Sequence, residues 1–592
     1  MDPKAFYRSL SEDLASEIQE ARRKDIQWSV IRGVAGVGAF VSFYLSLTTS
    51  MSALAWVGSI LVLVFALALK RHQAVRERLS FLKAKQKITA LEEAYLNGDL
   101  SSLDSDTEFR DENHSYANDL DVFGPGSLYQ RLSRAKTLGG KSKMQSSLKN
   151  LSWERLKDRQ GAVSELSRTQ LFMLDWRASL EGVENLNIRP GLSSWLGTES
   201  SVPWSYRSLV IWPFSFVVPI GFIVIAITGA WSYLSLVGYA FVLNLILMGA
   251  GATYLKRQYQ GLDRVHKSLK VYADLIQRFK AFSPESTSLR EVHERLFEGE
   301  VKAHEEIQRL GDILGRLDTM NNVMGLIILN GTFLFHLHVV RSLARWKQDN
   351  GRRLLEWLEI IEELEVWISK GTYAFHHPDF TYPQLVDETG LRAESIGHPF
   401  LRSDRRVDNP IDFSEHRLKV LTGSNMAGKS TFLRSLGLNV VLAANALPTC
   451  ATDFRLSPFQ LLTSMKPQDS INEDRSYFQA EVLRLRMILD RMQDGVVPSL
   501  VLFDEILRGT NSEDKRNGTM AFLKRLEPMN LRGVIATHDI EIAEISSGSE
   551  TFKNFYFEST YKDGELHFDY KLREGVCQTP NATMLLKNFG VI

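Results

Sequence analysis

The chain has very little cysteine and no excess of charge of either sign. Among its 592 residues there are only two cysteines, Cys450 and Cys577, which argues against a disulfide framework or a structural zinc site. Its 70 basic residues balance 70 acidic residues, so the formal net charge is zero. A protein that holds nucleic acid by its overall charge is usually basic, so any contact with DNA must come from a local patch.

Two long stretches lack charged residues altogether. Neither Gly33 to Leu69 nor Ser208 to Leu255 contains Asp, Glu, Lys or Arg. Each is longer than the roughly 20 helical residues that cross a bilayer, and each has small or polar residues near its middle. A buried helical core is the alternative. The composition predicts two transmembrane helical hairpins, Trp28–Leu47 with Met51–Leu69 and Leu209–Ala230 with Tyr233–Leu255.

Basic residues flank both ends of both apolar stretches. By the positive-inside tendency these ends face the cytoplasm, which predicts a multi-pass membrane protein with both termini cytoplasmic. A third uncharged run, Thr319 to Val340, contains Asn330, His336 and His338, which are costly in lipid. We therefore predict a buried helix there, with a further membrane span as the alternative. The flanking basic residues are Arg22, Arg23, Lys24, Lys70, Arg71, Arg207, Lys256 and Arg257.

The residue pattern changes character after Pro410. Before it, apolar residues recur with helical spacing; after it, short apolar runs such as Leu418–Leu421, Leu500–Phe503 and Gly533–Ala536 alternate with helical stretches. That alternation predicts parallel strands with crossover helices. The predicted divisions are an N-terminal amphipathic helix at 1–27, a first transmembrane hairpin at 28–70, a helical region at 71–207, a second hairpin at 208–255, a helical lever and core at 256–390, and a nucleotide-binding domain at 391–592.

The strongest motif is a phosphate-binding loop. It follows the strand-like run at 418–421 and opens a helix, which is the context that this pattern requires. Its backbone amides and the helix N-terminus favour bound phosphates. Lys429 is predicted to reach the terminal phosphates of ATP, and the Ser430 hydroxyl to bind Mg²⁺. The predicted nucleotide-binding residues are Gly423, Ser424, Asn425, Met426, Ala427, Gly428, Lys429, Ser430 and Thr431.

Two further strand ends carry the remaining candidate catalytic residues. Asp504 and Glu505 follow the run 500–503, so Asp504 is placed for the metal and Glu505 for the attacking water of ATP hydrolysis. His538 follows the run 533–536 and is a candidate to sense the terminal phosphate or hold that water. An acid pair or a histidine alone is more often structural, but together with the loop they predict an ATPase site.

These motifs resemble those of the MutS family of DNA mismatch-repair ATPases, which belong to the ABC ATPase class. The segments that carry the resemblance are 422–431, 504–510 and 536–539, with Leu507 where that family usually has glycine. Ser476 occupies the place of the family's signature serine. The resemblance implies that Ser476 reaches the partner's ATP, that Asn425 lines the loop, and that the ATPase domains form a homodimer.

The resemblance is strong from Ile396 onward and weaker over Asp119 to Gly390. It implies an α/β ABC-type ATPase domain, joined to an all-α MutS-like core and lever region that carries the two transmembrane hairpins. The arrangement is similar to membrane-anchored MutS-like proteins of bacteria, which implies a bacterial inner membrane. The N-terminal domain with the Phe-x-Glu wedge that reads mismatches in that family is not found; a hairpin stands in its place.

Two interpretations of the ligand remain open. One is a membrane-held switch that binds DNA through basic residues of the helical arms. The other is a nucleotide-switched membrane protein with a protein partner and no nucleic acid. Half of an ABC transporter is a third, weaker interpretation, because the Leu-Ser-Gly-Gly-Gln signature is absent. The candidate DNA contacts are Lys141, Lys143, Arg264, Lys267, Lys270, Arg278 and Lys280.

Overall fold

A computed structural model of the chain describes residues 2–49, 51–181, 187–198, 208–250, 265–297, 302–317, 323–424, 426–466, 477–508, 511–546, 549–562 and 565–577. Two predicted site residues, Asn425 and Ser476, lie outside the described residues. So do four basic residues that the sequence singled out: Arg207, Lys256, Arg257 and Arg264.

The N-terminal hairpin consists of two very long helices, α1 (Pro3–Thr49) and α2 (Ser52–Leu96). The predicted amphipathic helix at 1–27 and the first arm of the hairpin form one continuous helix, because no proline interrupts the chain between them. The two helices pack along each other, and large apolar side chains such as Phe40 and Trp56 are 74% exposed. Their apolar halves therefore lie outside the protein core.

The segment that follows α2 is a loop with one 3₁₀ turn, Thr107–Phe109, and it leads into a helical core. The core is formed around one large cluster of buried apolar side chains, which includes Trp176, Trp195 and Trp346. Helices α5 (Leu156–Leu166), α6 (Gln170–Leu180) and α7 (Arg189–Gly197) contribute to this cluster. The two helices before them, α3 (Leu128–Leu132) and α4 (Leu138–Lys149), bury their apolar side chains in a second cluster, which is shared with the C-terminal domain.

The second hairpin interrupts this core. It consists of α8 (Ser208–Thr228) and α9 (Leu234–Ala250), separated by a break that contains Gly229 at φ +68° and a 3₁₀ turn, Trp231–Tyr233. Helices α8 and α9 pack against each other, and buried Asn244 of α9 donates to the carbonyl oxygen of Gly331 at 2.9 Å. The core resumes with α10 (Val265–Ala281), α11 (Thr287–Phe297), α12 (Ala303–Leu317), α13 (Val323–Phe333) and α14 (Phe335–His376).

Helix α13 corrects the prediction of a buried helix over the third uncharged run. It packs on α8 and α9, but Met324 and Ile328 on its other side are 68% and 52% exposed. The polar residues of the run behave as expected: Asn330 and His336 are buried and hydrogen-bonded to each other at 2.7 Å. Helices α8, α9 and α13 pack together as one apolar unit, and the run lacks charged residues because much of it belongs to this unit.

Three helices of the described part of the chain are long and apolar enough to cross a membrane: α1, α2 and the stretch Trp231–Gly249. The apolar stretch Trp212–Thr228 is shorter. Helix α13 and the start of α14 meet at a bend of 82° and together would give a fourth span or a re-entrant loop. The two predicted hairpins are thus membrane candidates by length and composition.

The C-terminal domain is α/β, as predicted. Within the residues that the structure describes, its main sheet has six strands in the order β11-β10-β4-β9-β8-β7. All neighbours in the sheet are parallel except β10 and β11, which form an antiparallel hairpin that the sequence did not predict. The strands are β4 (Leu418–Thr422), β7 (Gln460–Ser464), β8 (Ser499–Asp504), β9 (Leu531–Thr537), β10 (Phe552–Lys562) and β11 (Glu565–Glu574).

A smaller sheet packs beside the main one and was also not predicted. Its strands are short, and β1 lies before the predicted domain boundary at residue 391 but pairs with β6 inside the domain. These strands are β1 (Gln384–Leu385), β2 (Leu391–Ile396), β3 (Asn409–Asp412), β5 (Ala451–Thr452) and β6 (Arg455–Leu456). The helices of the domain are α15 (Lys429–Ala444), α16 (Tyr477–Asp494) and α17 (Ser512–Leu526), with a 3₁₀ segment at Ile540–Ser546.

A buried cluster of charged residues, which we call the Glu92 cluster, joins the first hairpin to the core. Glu92 of α2 is fully buried and accepts from Arg134 Nε at 2.8 Å and from Arg177. His376, at the end of α14, lies 3.8 Å from the same carboxylate and hydrogen-bonds Tyr7 of α1 at 2.9 Å. Burial raises the pKa of Glu92, but the two arginines outweigh it, so the pKa is lowered and the carboxylate stays charged.

Candidate functional site

The predicted site residues come from three adjacent strands. Strands β4, β9 and β8 are parallel neighbours, so their carboxyl ends meet at one edge of the sheet. The phosphate loop follows β4, the two acids end β8, and His538 follows β9. Ligands of open α/β sheets bind at this edge. The topology therefore brings together residues that are more than 100 positions apart in the chain.

The phosphate loop has the backbone that its glycines permit. Gly423 and Gly428 have φ values of +148° and +107°, and a Cβ on either would lie 3.1 Å from an atom of Phe557 or Tyr570. Helix α15 begins directly after Gly428, at Lys429. Lys429 is buried, and its Nζ donates to the carbonyl oxygens of Gly423 at 2.7 Å and of Ser424 at 3.0 Å. Its ammonium is thus aimed into the loop that would enclose a phosphate.

Ser430 and Asp504 form a pair of oxygen donors at the mouth of the loop. The Ser430 hydroxyl donates to Asp504 Oδ2 at 2.5 Å. Asp504 is 6% exposed, and burial raises the pKa of its carboxyl group. Within the described residues, its second oxygen, Oδ1, is buried and has no hydrogen-bond partner. Hydroxyl and carboxylate oxygens are ligands that Mg²⁺ prefers, so these two residues fit the predicted metal.

Glu505 lies beside the pair and is held by two cationic or polar side chains. His538 Nδ1 is 3.4 Å from Glu505 Oε1, and Arg508 Nε is 3.4 Å from Oε2. The contact with His538, together with the charge of Arg508, lowers the pKa of Glu505 to about 2 although burial opposes the shift. The carboxylate is therefore deprotonated at neutral pH, as a group that orients water must be.

The turn that carries Glu505 is strained. Glu505 and Leu507 both have positive φ, +51° and +61°, in a region that L-residues rarely adopt. The turn is fixed by hydrogen bonds: the Glu505 N–H donates to the Ala536 carbonyl at 2.9 Å, and Arg508 donates to the carbonyls of Glu505 and Asp504. Strain held in place by surrounding contacts is typical of functional sites.

A cavity of about 500 Å³ opens from the phosphate loop toward the smaller sheet. Lys429, Ser430 and Glu505 line one end, and His398 and Asn409 line the other. Tyr570 of β11 forms part of the wall and lies against Gly428. The cavity is large enough for a nucleotide. Away from the phosphate loop, its wall comes from the segment 398–407 between β2 and β3, from α15, and from strands that sequence patterns did not predict.

The structure brings most of the predicted site residues together. Ser424, Met426, Gly428, Lys429, Ser430, Thr431 and Glu505 line the cavity, and Gly423, Ala427, Asp504 and His538 adjoin it. Two contributors lacked a predicted role. Arg508 stands inside the motif segment 504–510 and Glu481 lies five residues after Ser476, but their contacts to the acid turn depend on the folded positions of α16 and β8.

Several of the candidate DNA contacts are engaged in ion pairs. Lys141 pairs with Asp106 at 3.0 Å and also with Asp104. Lys270 lies 3.2 Å from Asp312, and Arg278 lies 2.7 Å from Asp274. Part of the expected positive charge is therefore neutralised within the protein.

The comparison with protein families matches residues 419–585 to MutS domain V. The chain is 29% identical over 235 residues to the DNA mismatch repair protein MutS of Roseiflexus sp. (strain RS-1), which covers 38% of this chain and 21% of that protein. It is 28% identical over 268 residues to the endonuclease MutS2 of Thermomicrobium roseum (strain ATCC 27502 / DSM 5159 / P-2), which covers 43% of this chain and 33% of that protein.

A further relative is the DNA mismatch repair protein MSH4 of Arabidopsis thaliana, which is 29% identical over 214 residues, 35% of this chain and 26% of that protein. The chain thus spans only about a fifth to a third of the length of these relatives. The matched region includes the phosphate loop, the acid pair and the histidine, arranged at one sheet edge as described above. Residues 419–585 thus form a domain of the MutS domain V family.

Proposed function

We propose that the protein is an ATP-hydrolysing switch of the MutS type, held at a membrane by its two apolar hairpins. The observation that carries the ATPase part is the convergence of Lys429, Ser430, Asp504 and Glu505 at one sheet edge, beside a cavity of about 500 Å³. This combination of a phosphate loop, a metal-binding pair and a water-orienting carboxylate serves phosphoryl transfer.

Each residue has a role that its contacts favour. Lys429 exchanges its loop carbonyl partners for phosphate oxygens when ATP enters the loop. Ser430 and Asp504 would hold Mg²⁺, which would neutralise charge on the phosphates. Glu505 accepts a hydrogen bond from the attacking water, and His538 orients Glu505. The low pKa of Glu505 keeps it able to accept that bond at neutral pH.

The ATPase proposal is tested with the full-length protein in detergent. Binding of Mg·ATP is measured by calorimetry, and phosphate release is measured in the same preparation. The Lys429→Ala variant should lose hydrolysis and weaken ATP binding, because it removes the ammonium that neutralises the terminal phosphates. Hydrolysis by Lys429→Ala at the wild-type rate would refute the proposed site.

The membrane proposal rests on the composition and exposure of the hairpins. Their large apolar side chains, such as Phe40, Trp56 and Ile227, are at least 74% exposed, a degree that is costly in water. Fractionation of cells should place the full-length protein with the membrane, resistant to high salt and released by detergent. Deletion of the two uncharged stretches alone, 33–69 and 208–255, which leaves Tyr7 and Glu92 in place, should move the remainder to the soluble fraction. We infer a bacterial inner membrane, with the ATPase domain cytoplasmic.

We further propose that two copies join through their ATPase domains, with Ser476 of one copy contributing to the ATP site of the other. The MutS relatives support this arrangement. Glu505→Gln, which should bind ATP without hydrolysing it, should accumulate as a dimer in the presence of Mg·ATP. Light scattering in detergent, with and without nucleotide, measures the change in mass. A Glu505→Gln protein that stays monomeric at saturating ATP would contradict the composite site.

DNA is the first candidate ligand of the helical region, because the relatives are named for DNA mismatch repair and an endonuclease. Mobility shifts with duplex, mismatched and branched DNA at low salt test it. Binding that weakens steeply with salt would support a phosphate contact.

A protein partner is the second candidate, favoured by the ion pairs at Lys141, Lys270 and Arg278 and by the zero net charge. It predicts no DNA binding even at low salt. It also predicts that a partner is captured by Glu505→Gln in ATP but not by the Lys429→Ala variant. Capture by both variants alike would exclude nucleotide-switched binding.

A further inference from the structure

One side chain connects helix α16 to the turn that carries the catalytic acids. Glu481 Oε1 accepts from the Leu507 N–H at 2.6 Å, and Oε2 accepts from the Arg508 N–H at 3.0 Å. A carboxylate that accepts two backbone N–H groups makes short, strong hydrogen bonds. Glu481 is only partly exposed, so these bonds are shielded from water.

The position of those two N–H groups matters because of the strain in the turn. Leu507 has a φ of +61°, a conformation that a leucine reaches only at a cost of about 1–2 kcal/mol. The Glu481 carboxylate holds the N–H of this residue and of the next one, two and three positions beyond Glu505. Without that carboxylate, the turn can relax, and the direction of the Glu505 side chain relaxes with it.

Helix α16 is itself fixed at a second point. Arg484, three residues beyond Glu481, donates to the carbonyl oxygens of Thr463 at 3.1 Å and of Ser115 at 2.9 Å. Leu485 and Ile488 pack in the same apolar cluster as Phe503 and Leu507. Glu481 therefore extends from a well-anchored helix and can impose a fixed position on the turn.

We propose that Glu481 is a positioning residue for ATP hydrolysis, which holds the turn 504–508 so that Glu505 faces the attacking water. This inference rests on the proposed ATPase function. Burial raises the pKa of Glu481, although its two backbone hydrogen bonds oppose the shift. Glu481 does not line the cavity and acts only through the backbone of Leu507 and Arg508.

The test compares Glu481→Gln with the wild type in full-length protein. Glutamine keeps the size of the side chain but places an NH₂ group against one backbone N–H. We expect kcat to fall about 10-fold or more while the Kd for Mg·ATP, measured by calorimetry, changes less than 2-fold. Asp490→Asn on the same helix is the matched control, since Asp490 is 63% exposed, and it should leave both values unchanged.

A double-mutant cycle separates positioning from general damage. If Glu481 acts through Glu505, adding Glu481→Gln to Glu505→Gln should cause no further loss of rate. Additive losses would overturn the proposal, as would a kcat for Glu481→Gln within 2-fold of the wild type. A parallel loss of ATP affinity and thermal stability would assign Glu481 a structural role and also overturn it. Failure of the wild-type protein to bind or hydrolyse ATP would instead refute the ATPase proposal itself.

Discussion

Two of the places where the molecule buries a carboxylate, at Glu92 and at Asp504, differ in how completely the charges are paired. In the Glu92 cluster, two arginines contact the glutamate, and Tyr7 completes the group through His376. At the nucleotide site, one oxygen of Asp504 lacks a hydrogen-bond partner in the described structure, and two residues of the acid turn have positive φ.

This difference is the one expected between a structural cluster and a ligand-binding site. A buried carboxylate with both oxygens paired, as in Glu92, fixes the relative position of the elements that meet there, in this case α1, α2, α6 and α14. A cluster with an unpaired oxygen and a strained turn is less stable by itself and is suited to a ligand that supplies the missing contacts. Variants at the nucleotide site should therefore change the rate of ATP hydrolysis, whereas variants in the Glu92 cluster should change the free energy of unfolding.

The largest effect is expected at Glu505. Glu505→Gln removes the charge that orients the attacking water and should lower kcat for ATP hydrolysis by about 100- to 1,000-fold, the range for the loss of one preorganised electrostatic group. The free energy of unfolding should change little. Phosphate release and chemical denaturation measure the two quantities. Glu513→Gln, an exposed residue at the start of α17, is the control. A Glu505→Gln variant with wild-type kcat would remove Glu505 from the mechanism.

In the Glu92 cluster we expect a loss of stability with no change in nucleotide binding. Glu92→Gln leaves Arg134 and Arg177 buried without their counter-charge and should lower the free energy of unfolding by about 3–5 kcal/mol. The Kd of the folded protein for Mg·ATP should be unchanged. Glu93→Gln, its neighbour on α2, is the control and should have less than about 0.5 kcal/mol of effect. An equal loss of unfolding free energy in both variants would mean that the Glu92 cluster does not specifically join α2 to the core.

A smaller effect is expected at Lys370, a buried lysine of α14. Its Nζ donates to Ser147 Oγ at 3.0 Å, and burial lowers its pKa to about 7. Below pH 7 the folded protein must bury a charged ammonium, whereas between about pH 7 and 10.5 only the unfolded chain binds the proton. Stability should therefore rise with pH across that window.

Lys370→Met should remove this dependence. The variant should be more stable than the wild type by about 1–3 kcal/mol at pH 6, and the difference should shrink by pH 9. Denaturation at both pH values measures it. A stability difference that grows with pH would contradict a lysine held neutral by burial.

The smallest effect is expected at Leu507, whose side chain packs against Gly518. Leu507→Gly should recover about 1–2 kcal/mol of backbone strain and lose about 2–3 kcal/mol of apolar burial. The net loss of unfolding free energy should be about 1 kcal/mol. Chemical denaturation measures this loss. The Leu507→Ala variant keeps the strain and loses most of the burial, so it should be clearly less stable than Leu507→Gly. If Leu507→Ala is the more stable variant, the turn is not strained.

Local patterns were sufficient to predict three strands of the main sheet and the residues that meet at their carboxyl ends. Strands β4, β8 and β9 are short apolar runs bounded by polar residues, and the phosphate loop is a contiguous motif. The break of the second hairpin also follows from local residues, since Gly229 adopts a positive φ there. These features depend on neighbours in sequence, so the sequence displays them directly.

The features that were missed depend on distant pairing. The hairpin β10–β11 has mixed polar and apolar residues on a sheet edge, and its pairing with β4 joins segments more than 130 residues apart. Tyr570 reaches the phosphate loop only through that pairing. Similarly, the partners of Glu92 come from three separate segments. No short-range spacing encodes such contacts.

Helix α14 is a single long helix that connects the second hairpin to the C-terminal domain. It has 42 residues, which corresponds to about 63 Å. Its first turns contact the apolar unit of the second hairpin, and Tyr373 and Ala374 at its other end pack into the buried core of the ATPase domain. If the helix tilted by about 5° at the end near the C-terminal domain, its other end would move sideways by about 5 Å. The second hairpin, which contacts that end, would move with it.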